Sequence, residues 1–272
     1  GDLFNTAYPS IEKVKEITEQ LKRLKDYNKR VYLIAGSHDY SPTGKTMLDV
    51  LEKAGLATNV TKGTIINNKL QLQFTIDQPT GAKITGLLGK RGQLERKYYE
   101  NLVLENLEQE QGFKIFMFHT THTELKPKDM DKVDSTEISF LPKGFKYYAG
   151  GHVHIVKKNT FPNYENIVYS GPLFPNSFSE LEKLKHGGFY FYDTEKKEEK
   201  ASETQYIPQI IKETIVIRKE CSHKDPNQIE YELKEELKAG DVKDKIITLR
   251  IEGKLSSGKR HDLQCKELIH EL

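Results

Sequence analysis

Tyr147-Tyr148-Ala149-Gly150-Gly151-His152-Val153-His154 is the stretch whose reading decides the fold of this chain. A short apolar run, two glycines and two histidines in alternation read as a buried strand with polar groups at its carboxyl end. Open α/β sheets collect their chemistry at that end. The same pattern recurs upstream. Arg30-Val31-Tyr32-Leu33-Ile34-Ala35 runs into Gly36-Ser37-His38-Asp39, and Lys114-Ile115-Phe116-Met117-Phe118 runs into His119. Gly1-Asp2 heads the sequence. One aspartate and several histidines at strand ends suit a borderline divalent metal better than a single catalytic triad.

Composition narrows the function classes. The chain has 272 residues, enough for one large domain with a smaller one beside it. Its formal net charge is only +2, so any nucleic-acid contact must come from a local patch rather than from a basic chain. No stretch is long and apolar enough to span a membrane, and no signal peptide is visible. Cys221 and Cys265 lie far apart and read as reduced thiols of a cytoplasmic protein.

Working outward, Ser10 caps a helix expected to run to about Lys25, with Ile11, Val14, Ile17, Leu21 and Leu24 on one face. A second helix carries Met47, Leu48, Leu51 and Ala54 and stops at Gly55. Segments 64–66, 70–76 and 83–87 read as strands, with Asn67-Asn68 as a turn. One helix is expected from about Gln93 to Leu107, and strands at 114–118, 145–149, 167–170 and 188–192. This reads as an α/β domain layered helix, sheet, sheet, helix over residues 1–204. The lysine and glutamate run 195–202 reads as a solvated linker. Beyond it, strand 214–218, helix 226–237 and strand 246–251 form a small β-α-β unit over 205–272, with a helix expected at 263–271.

The histidines suggest the chemistry. Two ions about 3.5–4 Å apart can clamp a phosphoryl oxygen and activate a water, and a carboxylate can bridge them. Asp2 is the candidate bridge. His119 and His152 are candidate ligands of one ion, and His154 of the other. His38 is a candidate proton donor to a leaving oxygen, because imidazole can carry a proton near neutral pH. His122, His186, His223, His261 and His270 read as ordinary hydrogen-bonded groups, with His122 the nearest to an exception.

The ordered segments Gly1-Asp2-Leu3-Phe4, Ala35-Gly36-Ser37-His38-Asp39, Met117-Phe118-His119, Leu141-Pro142-Lys143-Gly144-Phe145-Lys146 with the run that follows it, and Tyr169-Ser170-Gly171-Pro172-Leu173 resemble the calcineurin-like metallophosphoesterase superfamily. Within it they resemble the archaeal SbcD-type (meiotic recombination eleven) nucleases of DNA double-strand break repair. The likeness covers most of residues 1–192, and the later unit is similar to that family's DNA-capping domain in size and position. It implies the four-layer metallophosphoesterase fold with a small C-terminal α/β capping domain. It implies two Mn2+ ions bridged by Asp2, with His119 and His152 on one and His154 on the other. It implies Ser37 in a metal-facing position, His38 as the catalytic histidine and Asp39 orienting it. The activity implied is 3′→5′ double-strand exonuclease and single-strand endonuclease action on DNA.

The resemblance also implies a homodimer through the helices near residues 10–25 and 44–54. It implies a coiled-coil ABC ATPase partner of SbcC type, whose binding segment lies beyond residue 272, and an archaeal, nucleoid-associated location. Two departures stand out. The family's Asp-x-His motif, expected on a strand ahead of Gly1-Asp2, is absent from this sequence, and Ser37 replaces the family's asparagine. The first thins the ligand set of the ion expected at His154 and the second replaces a metal ligand by a weaker one, so that one or both ions would be held weakly.

Lys90 and Arg91, in a cluster with Arg96 and Lys97, and Lys157 and Lys158 after the histidines are the candidate phosphate contacts. Glu95 reads as diluting the first cluster. Ser256-Ser257-Gly258-Lys259-Arg260 is a further candidate. Two other functions fit the same residues. One is a non-catalytic DNA-binding or scaffolding homologue with a degenerate metal site. The other is a phosphodiesterase for small substrates, which would need no capping unit.

Overall fold

Ser10 starts the first helix as its chemistry requires, its Oγ accepting from Lys13 N at 3.4 Å. Helix α1 (Ile11–Asp26) follows in the computed structural model, which describes residues 1–194 and 204–264. After β1 (Tyr32–Leu33), helix α2 (Met47–Lys53) opens on Thr46, whose N–H donates to Asp49 Oδ2 at 2.6 Å. It ends where Gly55 turns left-handed at φ 66°. Strand β2 (Thr58–Asn59) then pairs parallel with β1, a pairing the sequence pattern did not suggest. Strands β3 (Gly63–Ile66) and β4 (Lys69–Leu72) form an antiparallel hairpin around the expected turn. Asn67 and Asn68 sit at φ 49° and 59°, the paired left-handed residues a tight two-residue hairpin needs.

The central sheet comes next. Strands β5 (Thr75–Ile76) and β6 (Lys83–Leu87) precede helices α3 (Arg96–Glu100) and α4 (Glu105–Glu108). Then come β7 (Lys114–His119), β8 (Tyr147–Gly151), β9 (Val156–Phe161) and β10 (Tyr164–Ser170). The six strands order β5-β6-β7-β8-β10-β9. β6, β7, β8 and β10 run parallel, and the two edges are antiparallel. Strand β9 was not expected from the sequence, because Val156-Lys157-Lys158-Asn159-Thr160-Phe161 is too polar for an interior strand and suits an edge.

The single helix expected over 93–107 is corrected. The chain leaves the helix at Asn101 because Leu70 claims it: Leu70 N donates to Asn101 O at 2.8 Å, and Val103 N donates to Leu70 O at 2.9 Å. Pairing with the β4 hairpin thus outcompetes helix continuation.

Side-chain alternation on β7 sets the layers. Phe116 and Phe118 face a core with Tyr99, Leu102, Leu107, Phe145, Tyr148 and Tyr169, which carries α3 and α4. Each such large side chain contributes roughly 1.5–3 kcal/mol on burial. Ile115 and Met117 face the other way, against Ile34, Val60 and Ile84, and join the central sheet to the β1–β2 pair. Leu33 and Ala35 in turn meet Leu21, Leu48 and Leu51 of α1 and α2. Helix, sheet, sheet, helix is the order expected of this α/β fold.

By compactness the chain divides into Gly1–Gly171 and Pro172–Leu272. The second unit holds α5 (Phe178–Leu184), β11 (Gly187–Tyr192) and β12 (Thr204–Gln209), the last two paired antiparallel. Strands β13 (Thr214–Glu220) and β14 (Ile246–Glu252) pair parallel in seven residue pairs around helix α6 (Pro226–Ala239). Asp225 and Gln228 cap α6 reciprocally, and Ile229, Leu233 and Leu237 bury its inner face against Ile217 and Cys221. This is the expected β-α-β unit. Glu182 on α5 is clamped by Arg250 through two bonds of 2.8 and 2.6 Å. The run 195–202, Cys265 and nearly all of the helix expected over 263–271 lie outside the described residues.

Candidate metal centre

The carboxyl ends of β7 and β8 are in register, with His119 opposite Gly151. That pairing delivers His119 and His152 to one place, and their rings stand 5.1 Å apart at 64°. Two glycines make room. A Cβ on Gly151 would fall 2.9 Å from His119 Nδ1, and one on Gly89, at the end of β6, would fall 2.5 Å from His119 Cδ2. His152 sits at φ 89° and Asp2 at φ 58°, left-handed conformations that are uncommon for residues with a Cβ and that collect at functional sites.

Asp2, in the segment ahead of α1, meets His119 of this pair. Its Oδ2 lies 3.0 Å from His119 Nε2, and its Oδ1 accepts from His38 N at 2.7 Å. Ser37 Oγ is 3.5 Å from Oδ2, at the margin of a bond. Burial alone would raise the Asp2 carboxyl, but its bond and charge contact with His119 and the His38 N–H outweigh it, and the group is held well below the usual carboxylate range. Burial lowers His119, although the bond to Asp2 opposes it, and burial lowers His152 against the charges of Glu95 and Asp2. Both imidazoles are therefore biased toward the neutral form, the one that binds metals. His154 is exposed, and its charge acts on His152.

Asp39 does not hold His38, contrary to the expected role. Its carboxylate is buried and accepts from Leu3 N, Phe4 N and Gly36 N at 3.1, 2.9 and 3.0 Å. It pins the Asp2 segment to the His38 loop. The exposed His38 ring is instead held by the main chain, with Nδ1 2.9 Å from Asn5 O. A carbonyl oxygen only accepts, so Nδ1 carries the hydrogen and Nε2 faces outward.

The donor set suits a metal in its chemistry. His119 is buried, Nδ1 has no hydrogen-bond partner, and Nε2 has only the Asp2 contact, so a ring with one spare nitrogen abuts a carboxylate and a second imidazole. Asp2 meets His119, and His119 meets His152. Among the described residues, however, no group of three or more His, Cys, Asp or Glu side chains is gathered closely enough to hold a metal as it stands. The second expected ion has Asp2 and His154 for protein donors and Ser37 nearby.

The candidate phosphate contacts are placed differently. Lys90 is half-buried between Tyr40 and Tyr98, Arg91 is exposed, and Lys158 is exposed on the edge strand β9. Lys157 donates to Leu125 O at 2.9 Å and so ties a loop. His122 is fully buried, with Nδ1 3.0 Å from Thr136 O, and burial pushes it down to about 4, as befits a core histidine. Sequence reasoning missed Glu95 and Asn5. Glu95 is 1% exposed, and it accepts from Thr120 Oγ1 at 2.8 Å and Lys90 N at 3.0 Å. No pattern of spacing marks it. Asn5 acts through its carbonyl, which every residue has.

A family profile for calcineurin-like phosphoesterases matches residues 1–156. The chain is also similar to the DNA double-strand break repair proteins Mre11 of three archaea. It is 26% identical to that of Methanococcus maripaludis over 71% of this chain and 50% of that protein. It is 26% identical to that of Archaeoglobus fulgidus over 68% and 42%, and to that of Sulfolobus acidocaldarius over 58% and 38%. The chain thus spans about half or less of the length of these curated relatives.

Proposed function

The chain belongs to the calcineurin-like phosphoesterase family, and on that premise we propose that it is the catalytic part of a DNA repair nuclease, hydrolysing phosphodiester bonds. The observation that carries the reading is the convergence of Asp2, His119 and His152 beside an outward-facing His38. The similarity to archaeal Mre11 supports DNA as the substrate and a DNA-repair setting. The full reading has 3′→5′ exonuclease and single-strand endonuclease activity.

Asp2, His119 and His152 would hold one ion, and Asp2 with His154 and Ser37 a second, with Mn2+ the proposed metal. When bound, such ions neutralise phosphoryl charge and acidify water. The chain's own groups do the rest. Asp2 stays anionic and joins the His38 loop to β7. Asp39 fixes that junction by three main-chain bonds. Asn5 O holds Nδ1–H of His38, leaving Nε2 to deliver a proton to the leaving oxygen.

Residues 205–272 would cap the DNA. A homodimer would form through the α1 and α2 faces, where Ile11, Leu24 and Val50 are exposed at 83, 41 and 56%. The ATPase partner of SbcC type and the cytoplasmic, nucleoid-associated setting belong to the same proposal. Among the described residues no helix is long and apolar enough to cross a membrane.

The test is cleavage of labelled linear duplex and single-stranded DNA with Mn2+, with His38→Ala as control. Metal-dependent cleavage lost in His38→Ala supports the reading. DNA binding without cleavage favours a scaffolding homologue, a reading that the lack of a tight three-donor group among the described residues supports. Cleavage of a small diester but not of DNA favours a small-substrate phosphodiesterase.

A further inference from the structure

Lys90 is an odd lysine. It follows Gly89, which packs on His119 and whose N–H donates to Ala35 O at 2.8 Å, so it stands directly beside the His38 loop. Its ammonium lies 4.3 Å from the centre of the Tyr98 ring and 5.1 Å from that of Tyr40, two residues past His38. Nζ also donates to Tyr98 Oη at 2.7 Å. Each of the three side chains is half-buried. Among the described residues Lys90 has no ion-pair partner. Glu95, the nearest carboxylate in sequence, is turned into the core, onto the main-chain N–H of Lys90 and onto Thr120 Oγ1.

An exposed lysine samples many rotamers and is strongly hydrated. This one is held between two rings, and its carrying turn is anchored by Glu95. The cost of ordering the side chain is met in folding rather than in binding. The hydrogen bonding leaves donors to spare. Tyr98 Oη accepts from Lys90, so the phenol proton is free to donate, and two ammonium protons remain. These donors point to an anionic oxygen ligand, and the place beside His38 points to a phosphate of the same substrate.

We propose that Lys90 and Tyr98, walled by Tyr40, form a two-donor subsite for a backbone phosphate of nucleic acid next to the phosphodiester that reacts. The proposal rests on the DNA-hydrolysis reading above and adds the groups that register the strand. Arg91, exposed at the tip of the same turn, has no such scaffold and is left out of it.

Binding without metal separates the two readings. Fluorescence anisotropy of labelled single-stranded and duplex oligonucleotides would be followed from 50 to 300 mM KCl in EDTA. The chains compared would be the unaltered protein, Lys90→Met, Tyr98→Phe and, as a surface control at the exposed Lys143 ahead of β8, Lys143→Ala. Lys90→Met keeps the stem over the rings and removes the charge. It should weaken binding roughly 10-fold and reduce the salt slope by about 1. Tyr98→Phe keeps the ring and should weaken binding about 3-fold at unchanged slope. Lys143→Ala should do neither.

A Lys90→Met slope equal to that of the unaltered protein, or equal losses in Lys143→Ala, would overturn the subsite even if the protein cleaves DNA. Lys90-dependent binding by a protein that never cleaves would sink the nuclease reading and leave the subsite standing. Failure of the unaltered protein to bind either oligonucleotide would overturn both.

Discussion

Asp2 and Asp77 stand at opposite ends of the same pair of sheets. Asp77, at the amino end, is 4% exposed and fully engaged. It takes the Tyr32 hydroxyl at 2.6 Å, Thr80 N at 3.3 Å, and close contacts from the Arg30 guanidinium and the Thr80 hydroxyl. Burial would raise its carboxyl, but these donors hold it below the usual range. Burial and that bond push the Tyr32 phenol up to about 12. Asp2, at the carboxyl end, meets one main-chain N–H and an imidazole that is itself left with a spare nitrogen. One end satisfies its charges from within. The other leaves lone pairs over, and a site that binds something must do so.

The comparison breaks first at Asp2. Asp2→Asn should lower DNA cleavage about 10³-fold or more, roughly 4 kcal/mol, and leave the thermal midpoint within a few degrees of the parent. Asp77→Asn should show the reverse pattern. A loss of stability at Asp2 comparable to that at Asp77 would make both ends structural.

His122 sharpens the contrast, because it leaves the same strand as His119 but is sealed. An unfolded imidazole ionises near its ordinary value of about 6.5, and the buried one at about 4. Between these values the unfolded chain binds the extra proton. The stability from keeping His122 neutral is therefore full above the higher value and is lost as pH falls toward the lower. About 3 kcal/mol is at stake, and urea midpoints from pH 7 to 4 should fall less steeply in His122→Phe.

Asp77→Asn should cost about 2 kcal/mol in urea unfolding with cleavage unchanged below the transition. The Arg30 end is half exposed, so its share is screened. The smallest effect belongs to the cap of α1. Ser10→Ala should cost about 1 kcal/mol by the same assay, because it orphans one N–H at the start of α1.

Where a feature was local in sequence, it was legible. The Asn67-Asn68 turn, the Ser10 cap, the stop at Gly55 and the β-α-β unit around α6 all follow from neighbours within a few residues. The break after α3 was not legible, because Leu70, some thirty residues away, supplies the competing hydrogen bonds. Strand β9 was hidden by its lysines, which an edge tolerates and an interior would not.

By itself the sequence determined which polar residues end which apolar runs, and so the α/β layering and the gathering of Asp2, His38, His119 and His152 at one end of the sheets. Hydrophobic periodicity is written along the chain, and a parallel sheet turns it into position. Tertiary structure alone decided the division of labour there. Asn5 O, not Asp39, holds His38, Asp39 staples the Asp2 segment, Glu95 lies buried, Lys157 ties a loop, and Lys90 is walled by tyrosines. Those assignments rest on main-chain atoms and on partners distant in sequence. Only packing brings such groups within the 3 Å at which a hydrogen bond distinguishes one partner from another.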